Sequence, residues 1–304
     1  MILRSVLLYL SRQRRLRRWV ENSALSQKMT RRFVAGNTLE EGLAVCARLN
    51  AEGILATLDC LGENVASIEE AASTRDAYIE ALQQIDALHL QSTISIKLTH
   101  FGLAFSEERC RGYVAELVAE AQRRSNSVEI DMESLGYVDA TLRTVVQLHE
   151  QYGCVRAVIQ AYLRRSEDDI RTLNERRIPV RLCKGAYREP AAVAFPTRRE
   201  VDDNYLRLAA LLIEQGTYPA VATHDEKMID GVIGKVKQTG YAPERLEFQM
   251  LYGIRRSLQR QLVRGGFRVR LYVPYGVAWY PYFMRRLAER PANLLFLVRN
   301  AFRS

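Results

Sequence analysis

From residue 53 onward, short apolar and β-branched runs alternate with longer stretches whose apolar positions recur at helical spacing. The short runs are GILATLDCL (53–61), TISIKLT (93–99), SVEIDM (127–132), CVRAVIQAY (154–162), IPVRLCKG (178–185), YPAVATH (218–224), LEFQML (246–251) and RVRLYVP (268–274). Each reads as a strand. Segments 66–90, 106–124, 138–152, 199–216 and 225–238 read as amphipathic helices, with Ser106 and Asp139 as expected capping residues. Eight strands alternating with helices over this length predict an α/β fold, a (β/α)8 TIM-type barrel. A doubly wound sheet usually has fewer strands and a glycine-rich first turn, and no G-x-G-x-x-G occurs. No repeat or linker-like run interrupts residues 38–304. The expected organisation is therefore a helical arm over 1–37 and one barrel domain over 38–304.

The net charge of +9 becomes informative once it is located. Residues 1–32 hold nine basic residues against Glu21, or +8; the other 35 basic and 34 acidic residues leave +1. The barrel is thus balanced and the arm is basic. In the arm, Leu3, Val6, Leu7 and Leu10 share a helical face, with Leu16, Trp19 and Val20 beyond. Arg4 breaks this apolar run, the main charge cluster follows it, and no small-residue cleavage site is present, so it is not read as a secretory signal. It is also too short to span a bilayer. The plain reading is a helix docked on the barrel or on another subunit. A second reading lays it on an anionic membrane surface, and nucleic-acid contact is a third. Cys46, Cys60, Cys110, Cys154 and Cys183 are odd in number and lack a C-x-x-C, which argues against a zinc site and fits a reducing cytosol.

In such a barrel the chemistry sits at the C-terminal ends of the strands. Those ends carry Lys97, Asp131, Met132, Gln160, Arg181, Lys184, Gly185, Thr223, His224, Gln249 and Tyr272. Lys97, Asp131 and Arg181 interrupt apolar strands, which is costly unless each is paired or bound to a ligand. Lys97 and Asp131 could simply satisfy one another, Gly185 could serve a turn, and His224 could be structural. Near the C-terminus, YFMRRLAER sets Arg285 and Arg286 side by side. Neighbours on a helix diverge by roughly 100°, so one face cannot present both equally; if this final helix crosses the barrel mouth rather than lying alongside, both can reach inward. Otherwise they are solvated helix charges. Lys97, Arg181, Lys184, Arg285 and Arg286 outnumber Asp131 and Glu289, which predicts an anionic ligand. Two arginines and a lysine suit a carboxylate, and a second cationic pair suits phosphates.

The motifs RLCKGAYREP, SIKLTHFGL, EIDMES, VIQAYLRRS, ATHDE, FQMLYG and YVPYGVAWYPYFMRRLAERPAN resemble the flavin-dependent proline dehydrogenases of monofunctional bacterial type, from about Thr38 onward. The resemblance implies an oxidoreductase that converts L-proline to 1-pyrroline-5-carboxylate with FAD, passing electrons to membrane quinone in the first step of proline catabolism to glutamate. It implies that Lys97, Arg285 and Arg286 grip the substrate carboxylate, that Tyr272 and Tyr282 pack on the ring, and that Glu289 closes the site as a gate. Asp131 would orient Lys97, and Arg181 would sit by the flavin N5. Met132, Gln160, Lys184, Gly185, Ala186, Thr223 and His224 would contact FAD. Arg188 stands where many members carry an aromatic residue. The expected location is cytoplasmic, from the cysteine usage, with peripheral membrane contact as the second reading of the basic arm, and no nucleic-acid partner is expected. Two rival readings are a Schiff-base aldolase using Lys97 or Lys184, and a non-enzymatic basic membrane- or nucleic-acid-binding module.

Overall fold

The structure is a computed structural model that describes residues 32–62, 65–187, 189–280, 282 and 284. Most of the predicted arm, together with Arg188, Arg285, Arg286 and Glu289, lies outside the described residues. Eight strands form where the eight apolar runs predict them. They are β1 (Leu55–Cys60), β2 (Ser92–Ile96), β3 (Val128–Ile130), β4 (Val155–Gln160), β5 (Val180–Cys183), β6 (Ala220–Ala222), β7 (Glu247–Leu251) and β8 (Arg268–Tyr275). They pair in parallel in chain order, and β8 closes on β1 from Leu55↔Arg270 to Cys60↔Tyr275.

Strand periodicity explains why the barrel is closed and yet polar inside. Alternate positions such as Leu58, Ile94, Ile96, Ile130, Leu182, Phe248 and Leu271 are wholly or almost wholly buried and form one apolar core with the surrounding helices. The intervening positions, among them Asp59, Glu129, Arg156, Arg181, Glu247 and Arg270, are also buried. Several of their side chains bond between non-adjacent strands, as Arg156 of β4 does with Glu247 of β7 and Arg181 of β5 with Glu129 of β3, which places them in the lumen. Where many such barrels are filled with Val, Ile and Leu, this one is filled with ion pairs.

Eight helices are described: α1 (Leu39–Ala51), α2 (Ile68–Ala87), α3 (Glu107–Arg123), α4 (Leu135–Tyr152), α5 (Ser166–Glu175), α6 (Arg198–Gln215), α7 (Glu226–Thr239) and α8 (Arg256–Arg264). The five predicted segments correspond to α2, α3, α4, α6 and α7; α1, α5 and α8 are additional. Ser106 caps α3, accepting from the Arg109 N–H. Asp139 is not a cap. Helix α4 starts four residues earlier, with Ser134 at its N-cap position, and the Asp139 carboxylate instead pairs with Arg165 at 2.5 Å. Helix α1, opened by a Thr38–Glu41 capping box, packs against both β1 and β8. Gly42 allows this approach, because a Cβ there would lie 3.1 Å from Leu58 and 3.3 Å from Tyr275. The outer face that the helix after β8 covers in a regular barrel is therefore already occupied.

Candidate active site

Two tiers of ion pairs fill the lumen. In the lower tier, Glu247 accepts from Arg156 at 3.0 Å, Arg270 at 2.9 Å and Gln249 at 2.8 Å. Its carboxyl is burdened by burial, yet Arg270 and Arg156 pull its pKa down to about 2. Gln249 also reaches Glu129 at 3.1 Å, and Arg181 pairs with Glu129 at 2.7 Å. Arg181 links the tiers, because its other guanidinium nitrogen bonds Asp131.

The upper tier opens towards the C-terminal strand ends. Asp131 accepts from Arg181, from Ser95 Oγ at 2.9 Å and from the Tyr272 hydroxyl at 2.8 Å. Burial opposes its charge, but Arg181 and Lys97 hold its carboxyl below the usual carboxylate range. Lys97 Nζ donates to Asp59 at 2.9 Å and to the Tyr272 oxygen at 3.2 Å, and stands 3.6 Å from Asp131. Lys97 thus meets Asp131 as expected, but its shorter contact is with Asp59, which the strand-end reading omitted. Burial and the neighbouring Asp131 keep the Tyr272 hydroxyl protonated far above its ordinary range. Burial also pushes the Cys183 thiol up to about 11, which removes it as a nucleophile at neutral pH.

Around β4 to β7 the other predicted residues form a second group. Gln160 donates to the Glu133 carbonyl at 2.9 Å, and its amide oxygen lies 3.4 Å from the Ala186 nitrogen. Gly185 has a φ of 111°, and a Cβ there would fall 2.1 Å from the Tyr162 ring, so only glycine fits this turn. His224 Nε2 accepts the Leu251 N–H at 2.8 Å, which assigns the proton of its neutral ring to Nδ1. Thr223 Oγ1 accepts from the Asp225 N–H at 3.1 Å, and Met132 is buried. Lys184 is held between Asp202 and Asp225, the latter at 3.0 Å and also 3.0 Å from Arg198. Tyr282 is buried at the start of the final segment.

The predicted excess of cations does not survive among the described residues. Lys97, Arg156, Arg181 and Arg270 are matched in the lumen by Asp59, Glu129, Asp131 and Glu247, and Lys184 has its own acids. Asp59, Glu129, Arg156, Glu247 and Arg270 carry the same sequence signal as Lys97, a charge inside an apolar strand.

A closed parallel barrel with paired charges and a tyrosine gathered at its C-terminal rim defines a TIM-type fold with its candidate chemistry at the mouth. The chain matches the family model described as proline dehydrogenase over residues 43–299. It is 41% identical over 299 residues to proline dehydrogenase 1 of Bacillus subtilis (strain 168), covering 98% of each chain. It is 40% identical over 276 residues to the proline dehydrogenase of Deinococcus radiodurans, covering 89% of each. Among solved structures, it is similar to proline utilization A from Bdellovibrio bacteriovorus inactivated by N-propargylglycine. The TM-score is 0.81 and the identity 25%, over 86% of this chain and 32% of that one. The chain belongs to the proline dehydrogenase family.

Proposed function

We propose that the protein oxidises L-proline to 1-pyrroline-5-carboxylate with FAD and passes the electrons to membrane quinone, opening proline catabolism to glutamate. The observation that carries this reading is the joining of Lys97, Asp131, Arg181 and Tyr272 into one hydrogen-bonded cluster at the mouth of a barrel of this family.

Lys97, Arg285 and Arg286 are assigned to the proline carboxylate, and Tyr272 and Tyr282 to the ring. Because the described cations are already compensated, the net positive charge that attracts a carboxylate falls to Arg285 and Arg286. The packing of α1 over β1 and β8 supports a final helix that crosses the mouth, with Glu289 as its gate. Asp131 acts through Tyr272 to orient Lys97, and Arg181, fixed by Glu129 and Asp131, is assigned to the flavin N5. Proline that binds with a neutral amine needs no strong base, so the side chains mainly aim one ring carbon.

Met132, Gln160, Lys184, Gly185, Ala186, Thr223 and His224 are assigned to FAD, which supplies the hydride acceptor. The Tyr162 hydroxyl supports a group bound along this side of the barrel: it is buried, has no hydrogen-bond partner among the described residues, and belongs to the ring packed on Gly185. The compensation of Lys184 means that any phosphate contact there is made by local donors rather than by net charge. Contact with a quinone-bearing surface is assigned to the basic arm on its charge; among the described residues no helix is long and apolar enough to cross a membrane. The aldolase reading is disfavoured because Lys97 and Lys184 sit against carboxylates, not in the apolar pocket that activates a Schiff-base lysine.

The test is optical. The purified protein should be yellow, anaerobic proline should bleach it, and acid precipitation should release the colour. A colourless protein trapped on its substrate by borohydride would replace this reading with the aldolase.

A further inference from the structure

Lys97, just past the end of β2, lies between two acids, Asp59 from β1 and Asp131 just past the end of β3, and the two are not equivalent. Asp131 serves Arg181, Ser95 and Tyr272. Asp59 is 1% exposed and, among the described residues, its one cationic contact is Lys97, at 2.9 Å. Its Oδ1 lies 3.5 Å from the Tyr78 hydroxyl, and its Oδ2 is buried with no hydrogen-bond partner among the described residues. A carboxylate this buried, with a single ammonium to compensate it, is retained at a cost. Burial pushes its carboxyl upward, Lys97 opposes that push, and Asp131 adds to it.

Among the described residues, the carboxylate nearest Lys97 after Asp59 is Asp131, at 3.6 Å. Without the Asp59 charge the ammonium would be drawn onto the group that already holds Arg181 and Tyr272, and all three would have to rearrange. We propose that Asp59 is a positioning residue for proline oxidation: it holds the Lys97 ammonium on the β1 side of the mouth, so that Asp131 stays engaged with Arg181 and Tyr272. This inference rests on the reading of Lys97 as a ligand of the proline carboxylate.

The test compares wild type, Asp59→Asn, Lys97→Met and the double variant by steady-state kinetics with a dye acceptor, flavin absorbance and thermal unfolding. Asp59→Asn keeps the shape and removes the charge. It should lower kcat/KM for proline about tenfold or more, mainly by raising KM, at unchanged flavin content. In the Lys97→Met background the same change should alter kcat/KM less than about twofold, because the two residues act as one unit. Lys97→Met alone should lower Tm by leaving Asp59 buried without its ammonium, and adding Asp59→Asn should restore Tm. If Asp59→Asn alone fails to fold, recovery in the double variant still supports the coupling. Wild-type kinetics in Asp59→Asn, or a loss undiminished by Lys97→Met, overturns the proposal. A wild type inactive with proline overturns instead the functional reading on which it rests, while the Tm comparison still decides whether Asp59 and Lys97 are coupled.

Discussion

Tyr272 on β8 and Asp131 just past β3 are hydrogen-bonded across the barrel mouth, hydroxyl to carboxylate, at 2.8 Å, and the same hydroxyl oxygen takes Lys97 at 3.2 Å. Tyr272→Phe keeps the ring and removes this bridge. Hydrogen bonds to charged groups contribute ~1.5–3 kcal/mol, roughly ten- to 150-fold in an equilibrium. The kcat/KM for proline should fall within about that range, at unchanged flavin content. Because burial holds the hydroxyl protonated, wild type and variant should share the same alkaline limb in their pH profiles. A limb present only in the wild type would show that Tyr272 ionises during turnover.

Glu247 makes the lower tier acid-sensitive. Its carboxyl is pulled from 4.5 to about 2 by Arg270 and Arg156 against the penalty of burial. A depressed carboxyl contributes stability that is fully present above its unfolded pKa and lost as pH falls through the folded value. That shift corresponds to about 3 kcal/mol. Thermal stability should therefore fall progressively from about pH 4.5 down to about pH 2. Glu247→Gln should be less stable at neutral pH, since it leaves two buried arginines undercompensated, and should show a flatter acid limb. Parallel acid limbs in the two proteins would remove Glu247 as the source.

Gly185→Ala tests the turn after β5. The substitution places a methyl 2.1 Å from the Tyr162 ring at a φ of 111°. Strain of this kind costs on the order of 1–3 kcal/mol. The turn should shift and flavin occupancy should drop, read as the ratio of visible to ultraviolet absorbance. Full occupancy with an unaltered Tm would release Gly185 from the cofactor assignment.

The strands were legible because one face of each is apolar against the helices, and that period survives the charges placed between. Helices α5 and α8, of 10 and 9 residues, are short for a periodic pattern to stand out. The rim residues Lys97, Asp131, Arg181 and Tyr272 were legible from strand ends alone. Asp59, Glu129, Arg156, Glu247 and Arg270 were missed although each interrupts an apolar run. The reason is geometric: four of them stand below the rim or, like Asp59, face a partner on the next strand, so their pairing depends on inter-strand stagger. Thr57 is level with Thr93 and not with a residue nearer Lys97, a register that neither strand's own pattern contains. The acids that compensate Lys97 and Arg181 were missing from the count of cations over acids for the same reason; Arg285, Arg286 and Glu289, which complete that count, lie outside the described residues.

The basic arm makes a prediction about salt. A helix with this charge on an anionic surface should bind acidic vesicles at low ionic strength and release as screening grows, since the Debye length is about 10 Å at 0.1 M. Sedimentation with acidic and neutral vesicles reads this directly. Equal binding to both removes the electrostatic component, and binding to neither favours a docked arm.

Arg286→Lys tests whether the arginine pair grips substrate. Lysine keeps the charge but replaces a planar fork with a point donor, so a bidentate carboxylate contact is lost. The expected loss in kcat/KM for proline is roughly ten- to 150-fold, from the ~1.5–3 kcal/mol of charge-assisted hydrogen bonding. If the contact only holds proline, the loss appears in KM; if it also aims the ring carbon, kcat falls too. The compensated charges in the lumen sharpen this expectation, since Lys97 is already engaged by Asp59 and Arg181 by Glu129 and Asp131. Arg286→Ala should therefore lose more than Arg286→Lys, because it also removes part of the net charge that attracts the carboxylate. Flavin absorbance should stay constant in both variants. Unaltered kinetics in both would return Arg286 to a solvated helix charge, and a folded but flavin-free variant would move the arginine pair from substrate to cofactor.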